Sequence, residues 1–299
     1  MSYVINQAHG NNWALYQGDS VDVVSALPDE SIHYQVFSPP FPSLYTYSAS
    51  ERDMGNSQND EVFWQHYRYL IREQARVLKP GRLISVHCML IPTSKQHDGF
   101  IGIRDFRGDI IRAYQEAGLI FHSEVSIWKN PVAAAVRTKA LGLLHKQLKK
   151  DSAMSRNGIN DFLVTFRKPG PNPEPISHTE EDFPVSEWQE LASPCWTDIN
   201  PSDTLQYRSA RAEEDEKHIC PLQLEVVRRG MRLWTNPGDV VLSPFAGIGT
   251  EGYVSNEQGR RFVGVELKES YFNQAVANLE AIEGNGSDKR QMDIFEEVG

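Results

Sequence analysis

Val240-Val241-Leu242-Ser243-Pro244-Phe245-Ala246-Gly247-Ile248-Gly249-Thr250 runs from a buried apolar strand, through a turn with two glycines, into the start of a helix. Glycine lets the backbone turn tightly and approach a ligand closely, and a helix N-terminus adds partial positive charge. Roughly twenty residues after the first strand, a second one, Phe262 to Val265, ends at Glu266. A carboxylate there is placed to accept hydrogen bonds from the two hydroxyls of a ribose, the logic of dinucleotide-binding folds. The spacing is not Gly-x-Gly-x-x-Gly, which weakens a nicotinamide reading. Without a ligand, the glycines make a strand-to-helix turn and Glu266 is a strand-end carboxylate.

Outward from this unit, strands alternate with helices. Trp13 to Gln17 reads as a strand ending at Gly18-Asp19, Val21 to Leu27 as a helix, and Ile32 to Phe37 as a buried strand. Glu61 to Leu78 has the spacing of an amphipathic helix, stopped by Lys79-Pro80-Gly81, and Arg82 to Cys88 is rich in strand formers. Helix at Asp105 to Ala117, strand at Leu119 to Trp128, helix at Pro131 to Lys150 and strand at Asp161 to Phe166 follow. Pro169 to Pro175 reads as a linker, and Phe183 to Glu216 is irregular and acidic. Helices return at Pro221 to Trp234 and Ser270 to Ile282. This alternation implies an α/β fold, its sheet mostly parallel and covered on both faces.

The 299 residues suffice for one large α/β domain with an accessory region. No apolar run reaches membrane-spanning length and Met1 to Asn12 carries no secretory pattern, so a cytoplasmic protein is expected. Cys88, Cys195 and Cys220 are too few and too scattered for a disulfide framework or a zinc ribbon, and no metal site is expected. A net charge of −10 argues against a protein that coats nucleic acid. The charge is segregated, however: Lys129 to Lys168 sets nine cations against Asp151 and Asp161 alone.

Val36-Phe37-Ser38-Pro39-Pro40-Phe41 ends a strand in a hydroxyl, two prolines and an aromatic ring. Proline lacks a backbone donor and biases the residue before it toward extended geometry, so the chain leaves the sheet stiffly with its carbonyls unpaired. Such a strand end can accept hydrogen bonds from an exocyclic amino group and stack on a planar ring. Alone, it reads as a rigid turn.

Together, Ser38-Pro39-Pro40-Phe41 near the start and Pro244-Phe245-Ala246-Gly247-Ile248-Gly249-Thr250 near the end resemble the amino-methylating DNA methyltransferases of the permuted β arrangement. In that family the catalytic half precedes the cofactor half. Val77-Leu78-Lys79-Pro80-Gly81-Arg82, Glu216-Lys217-His218-Ile219-Cys220-Pro221-Leu222 and Val263-Gly264-Val265-Glu266 are similar to further family segments. The resemblance implies a Rossmann-like, S-adenosylmethionine-dependent methyltransferase fold, mostly parallel with an antiparallel edge strand and circularly permuted. Residues 1–168 would be the catalytic half, 169–215 a small linker and target-recognition region, and 216–299 the cofactor half. A permuted sheet needs a strand after the helix ending near Ile282. Leu15 to Asp19 supplies it from the other end of the chain, putting Asp19 beside the cofactor's adenine unless it is a plain turn-former.

By the same resemblance, S-adenosylmethionine is the cofactor, held by Asp19, His218, Cys220, Pro221, Ser243, Phe245, Ala246, Gly247, Gly249, Thr250 and Glu266. Ser243 stands where the family usually has an acidic residue at the donor's methionine end, leaving that contact to the Ser243 hydroxyl or to Glu251. Ser38, Pro39, Pro40 and Phe41 are the catalytic stretch, with Ser38 Oγ and the Pro39 carbonyl accepting from the amino group and Phe41 stacking on a flipped-out base. Cysteine chemistry is not needed, and Cys88 and Cys220 read as core. Cytosine N4 is favoured, because Ser-Pro-Pro goes with it more often in the family; adenine N6 is the alternative. An inactive DNA-binding module, or methylation of RNA or a small amine, are the readings of other classes. Double-stranded DNA is the expected partner, contacted by Lys129, Arg137, Lys139, Lys146, Arg208 and Arg211, with Tyr45 and Tyr47 in a loop closing over the base. The short, acidic reader implies a short or relaxed recognition sequence. A homodimer and a partner nuclease of a restriction-modification pair belong to the same expectation.

Overall fold

The computed structural model describes residues 4–41, 54, 60–96, 98–138, 141–206 and 221–284. Its first half contains β1 (Val4–His9), β2 (Trp13–Gly18), α1 (Ser20–Ser25), β3 (Ile32–Phe37), α2 (Asp60–Val77), β4 (Leu78–Met89), β5 (Ile91–Pro92), β6 (Ile103–Arg104), α3 (Phe106–Glu116) and β7 (Ile120–Ile127). There follow α4 (Pro131–Thr138), α5 (His145–Leu148), β8 (Asp161–Arg167), α6 (Val185–Leu191), β9 (Cys195–Trp196), α7 (Leu224–Trp234), β10 (Val240–Ser243), α8 (Thr250–Glu257), β11 (Arg261–Glu266) and α9 (Glu269–Gly284).

Among the described residues, nine strands share one sheet in the order β1-β2-β11-β10-β3-β4-β8-β7-β9, while β5 and β6 form a separate pair. The run β2-β11-β10-β3-β4 is parallel. β1 pairs antiparallel with β2 at one edge, and β8 is antiparallel to both β4 and β7. Side chains alternate between two cores. Ala14, Tyr16, Val240 and Leu242 face α1, α2 and α3, with Phe63, Tyr67, Leu70, Ile71 and Ile110 in the same cluster. Trp13, Leu15 and Val241 face α7, α8 and α9, with Val227, Met231, Val254, Phe272 and Leu279. Each fully buried side chain of this kind contributes about 1.5–3 kcal/mol relative to exposure.

From β10 the chain proceeds through α8 to β11, on one side. From β3 it proceeds through α2 to β4, on the other. β10 and β3 are neighbours, so the strand order reverses between them, and their carboxyl ends are where an open α/β sheet places its crevice. β2 lies parallel beside β11, with Glu266 opposite Gln17, so the N-terminal strand fills the place expected for Leu15 to Asp19.

Four local readings differ from the sequence expectation. The stop at Lys79-Pro80-Gly81 ends α2 at Val77, but β4 begins at once. Gly81, at φ +72°, forms a bulge there, and its N–H donates to the Lys168 carbonyl at 3.0 Å. Pro131 to Lys150 is not one helix; α4, a 3₁₀ turn at Leu141–Leu143 and α5 divide it around Gly142. Phe183 to Glu216 is not wholly irregular, since it supplies α6 and β9, and β9 extends the sheet beside β7. Finally, β1 is a mostly exposed edge strand without an apolar alternation.

At the amino ends of the strands, Arg82 is fully buried and ties three segments together. Its Nε donates to the His33 carbonyl at 3.0 Å, Nη1 to the Glu174 carbonyl at 3.1 Å, and Nη2 to the Asp239 carboxylate. Glu174 also meets Lys79 Nζ at 2.5 Å and His33 Nε2 at 2.9 Å. The Lys79 and His33 hydrogen bonds draw its carboxyl down to about 2. The proline-rich linker is thereby pinned under the sheet.

Candidate active site

Two turns meet at the carboxyl ends of β3 and β10. Val241 pairs with Tyr34 and Leu242 with Gln35, so Ser38 and Pro244 leave neighbouring strands side by side. The Phe37 and Phe245 rings lie 5.8 Å apart, packing the first turn against the second. Ser20 Oγ donates to the Pro244 carbonyl at 2.5 Å, which brings the start of α1 to the same place.

In the glycine turn, Gly247 and Gly249 have φ of +53° and +86°, a region that only glycine enters without strain. A Cβ on Gly247 would meet nothing within 4 Å, whereas one on Gly249 would press on Ala275 at 3.2 Å. Gly247 faces open space, and Gly249 lets α8 sit close to α9. The carboxylate of Glu266 accepts from Gly247 N at 2.9 Å and from Lys268 N at 2.8 Å, fixing the strand end to the turn. Asp19 lies one strand over and accepts from Val21 N at 2.8 Å, capping α1. It is a turn-former that also sits on the rim of the crevice.

Ser243 Oγ is completely buried and has no hydrogen-bond partner among the described residues. A buried hydroxyl without a partner is costly. Glu251, in the first turn of α8, is also buried, and burial, helped by the nearby charge of Glu266, pushes its carboxyl up to about 8. Ala246 and Thr250 are buried parts of the turn and Phe245 is half-buried. Pro221 lies before α7, while His218 and Cys220 fall outside the described residues.

Ser38 is half-buried. Its Oγ lies 2.7 Å from His87 Nδ1 and 3.2 Å from the His87 carbonyl. His87 is on β4, one residue beyond the Phe37–Val86 pair. Its Nε2 stands 3.3 Å from Asp161 Oδ2, a contact too oblique for an aligned hydrogen bond. Lys129 Nζ lies 2.5 Å from the same carboxylate oxygen. Burial opposes ionisation of Asp161, yet His87 and Lys129 hold its carboxyl below the usual range. Neither His87 nor Asp161 stands out in the sequence, because their partners come from other strands. Pro39 is buried and Pro40 half-buried, and the Phe41 ring tilts against Phe106 at 5.5 Å, so part of its surface belongs to the core.

The basic window divides. Lys129 is bound to Asp161, Lys146 is exposed on α5, and Arg137 lies in α4. Lys168 is at the far end of the sheet, where its Nζ donates to the Leu78 carbonyl at 2.6 Å. The 128–160 connection leaves β7 at the same edge as Ser38, since Ile127 pairs with Asp161 and Met89 does too. Tyr45, Tyr47, Lys139, Arg208 and Arg211 lie outside the described residues.

Among the described residues, one group has metal-ligand spacing: His33, Glu174 and Asp239. It sits at the opposite end of the strands, where Arg82 and Lys79 already neutralise both carboxylates and His33 Nδ1 accepts from Val240 N at 3.0 Å. That chemistry is a clamp's, not a cation site's. No described helix is long and apolar enough to cross a membrane.

A family model described as DNA methylase (N6/N4) matches residues 32–277. DNA adenine methyltransferase YhdJ of Escherichia coli (strain K12) is 22% identical, over 89% of this chain and 82% of its own. A putative DNA modification methylase of Thermus thermophilus, solved in complex with S-adenosyl-L-methionine, superposes with a TM-score of 0.68 and 22% identity, over 90% of this chain and 93% of its own. The cytosine-N4-specific PvuII DNA methyltransferase superposes with a TM-score of 0.63 and 17% identity, over 98% of this chain and 96% of its own.

Proposed function

We propose that this chain, which belongs to the N6/N4 DNA methylase family, uses S-adenosylmethionine to methylate the exocyclic N4 of cytosine in double-stranded DNA. One adjacency carries the reading: Ser38 leaves β3 beside the glycine turn that leaves β10, so a hydroxyl and a cofactor cradle share the crevice. The donor supplies a methyl carbon activated by its sulfonium. The residues present suit it. Gly247 opens on free space, Ser243 Oγ is a buried hydroxyl without a partner among the described residues, and Glu266 and Asp19 stand at adjacent strand ends where ribose and adenine would lie.

Ser38 Oγ and the Pro39 carbonyl accept from the target amino group and hold its nitrogen in line for transfer. Positioning of this kind supplies much of a barrier reduction. An amino group inside a duplex is out of reach, so the base turns out of the stack and its ring meets Phe41. Duplex phosphates are met from the Ser38 edge, where the 128–160 connection carries Lys146. Adenine N6 is the second reading, favoured by the name of the Escherichia coli relative. Mass spectrometry of nucleosides from duplex DNA incubated with enzyme and donor separates the two. N4-methylcytosine is expected, N6-methyladenine would replace the base, and no methylated nucleoside would overturn the reading.

Glu251 takes over the contact to the donor's ammonium that Ser243 is too short and uncharged to make. Its carboxyl, at about 8 in the free protein, is mostly protonated at neutral pH. An adjacent ammonium favours the charged form, so binding releases a proton below that value. Donor affinity is therefore expected to rise with pH and to level off above about 8. Calorimetric titration from pH 6.5 to 8.5 checks this; Glu251→Gln should bind more weakly, with a flat pH profile. A wild-type slope in Glu251→Gln would remove the residue from the site.

A further inference from the structure

We propose that His87, backed by Asp161 and Lys129, takes up the proton that the target amino group must lose, acting through Ser38. This role presupposes the amino-methylation reading above.

Methylation leaves the nitrogen with one proton too many. A neutral serine is a poor acceptor for it unless its own proton can leave. The hydroxyl proton of Ser38 has two acceptors within reach, His87 Nδ1 at 2.7 Å and the His87 carbonyl at 3.2 Å. The charge at Asp161 decides which it uses. An ionised carboxylate 3.3 Å from Nε2 favours a hydrogen on that nitrogen, so a neutral ring presents its lone pair at Nδ1. Ser38 then donates to His87, and its remaining lone pairs point toward an amino N–H. Lys129, 2.5 Å from Asp161, keeps the carboxylate charged in a buried position.

Atoms and electrons balance in the transfer. A bond forms between the amino nitrogen and the donor's methyl carbon, while the bond from that carbon to sulfur breaks and its electron pair stays on sulfur. The nitrogen's proton passes to Ser38 Oγ as the Ser38 hydroxyl proton passes to His87 Nδ1. The ring ends with one positive charge facing Asp161, and Ser38 turns its new proton to the His87 carbonyl. The His87 side chain is 12% exposed, enough to return its proton to water afterwards. The charged groups around it are Asp161 and Lys129 on its own face; near Cys88 on the next residue stand Asp105 and the Arg107–Glu124 pair, whose partners are 2.7 Å apart.

His87→Asn tests the relay, because an amide oxygen can replace Nδ1 as an acceptor for Ser38 but cannot take a proton. The assay is single-turnover transfer of a labelled methyl group to mixed-sequence duplex DNA, with enzyme in excess, across pH 5.5–9, alongside calorimetric donor binding. The rate is expected to fall about 10²–10³-fold, within the range for loss of a general base. The wild-type decline on the acid side should disappear, and donor affinity should stay within about twofold, showing a folded protein. Asp161→Asn is expected to shift the same limb. A wild-type rate in His87→Asn, or a lower rate with the acid limb intact, overturns the relay, as does a loss confined to donor affinity. Absence of methylation by the wild-type protein would instead overturn the underlying reading.

Discussion

Ser38→Ala is expected to lower the single-turnover methylation rate about 10²–10³-fold, the usual cost of removing one preorganised hydrogen-bond partner from a reacting group. Donor affinity should stay within about twofold, because the contacts proposed for the cofactor lie in the glycine turn and at the ends of β11 and β2. The backbone has no reason to move. Residue 38 is extended ahead of Pro39, a geometry alanine adopts freely, and what the change removes is the hydroxyl's hydrogen bonding to Nδ1 and the carbonyl of His87. Leaving that nitrogen without its donor costs about 1 kcal/mol, too little to unfold a domain. The relay adds a sharper expectation. Ser38→Ala/His87→Asn should be no slower than Ser38→Ala, since His87 works only through the hydroxyl. Full activity in Ser38→Ala would remove the residue from catalysis.

The largest stability effect is expected at the other end of the sheet. Arg82→Met should destabilise the protein by about 3–5 kcal/mol in urea unfolding, because it strands the Asp239 carboxylate in a buried site. Part of that loss should be recovered by Asp239→Asn, which removes the stranded charge. The pH dependence has a definite sign. In the wild type, burial first, with Lys79 and Arg82 adding to it, lowers the His33 pKa. The unfolded chain then takes up the proton first as pH falls through the ordinary imidazole range, and the folded protein loses stability there. In Arg82→Met the cation is gone and Asp239 favours protonated His33. The loss of stability on acidification should then be smaller than in the wild type, so the penalty is smaller at pH 5.5 than at pH 8. A pH-independent difference would exclude His33 from the clamp.

The strands and helices that build the crevice are legible in the sequence because each announces itself locally. Val240 to Thr250 and Ile32 to Phe41 contain their own strand, stop and turn chemistry, and the apolar spacing of α2 holds even where Gln74 interrupts it. That amide is buried because it exchanges hydrogen bonds with Gln35 and Tyr114. What could not be read depends on partners distant in the chain. His87 and Asp161 look like ordinary strand residues until β4 and β8 pair. Lys129 reads as a phosphate contact from its basic neighbours alone, whereas the fold binds it to Asp161. β1 and β9 are short or exposed edge strands without the alternation that marks half-buried ones. The break in Pro131 to Lys150 falls where Gly142 interrupts an otherwise helical composition.

The parallel pairing of β2 with β11 also constrains how the chain can fold. All six residues of β2 are buried, yet the strand that covers one side of it is near the other end of the sequence. The Phe262 N–H donates to the Asn12 carbonyl at 2.8 Å and the Asn11 N–H to Glu283 at 2.6 Å, so the seam is sewn between the two ends. During synthesis the β1–β2 hairpin emerges early and waits with an open, apolar edge until Arg261 to Glu266 has left the ribosome. Contacts of such sequence separation form slowly, because the loop closure precedes any reward. The crevice is thus completed only once β11 has emerged, and a nascent chain stalled before β11 is exposed to aggregation through β2.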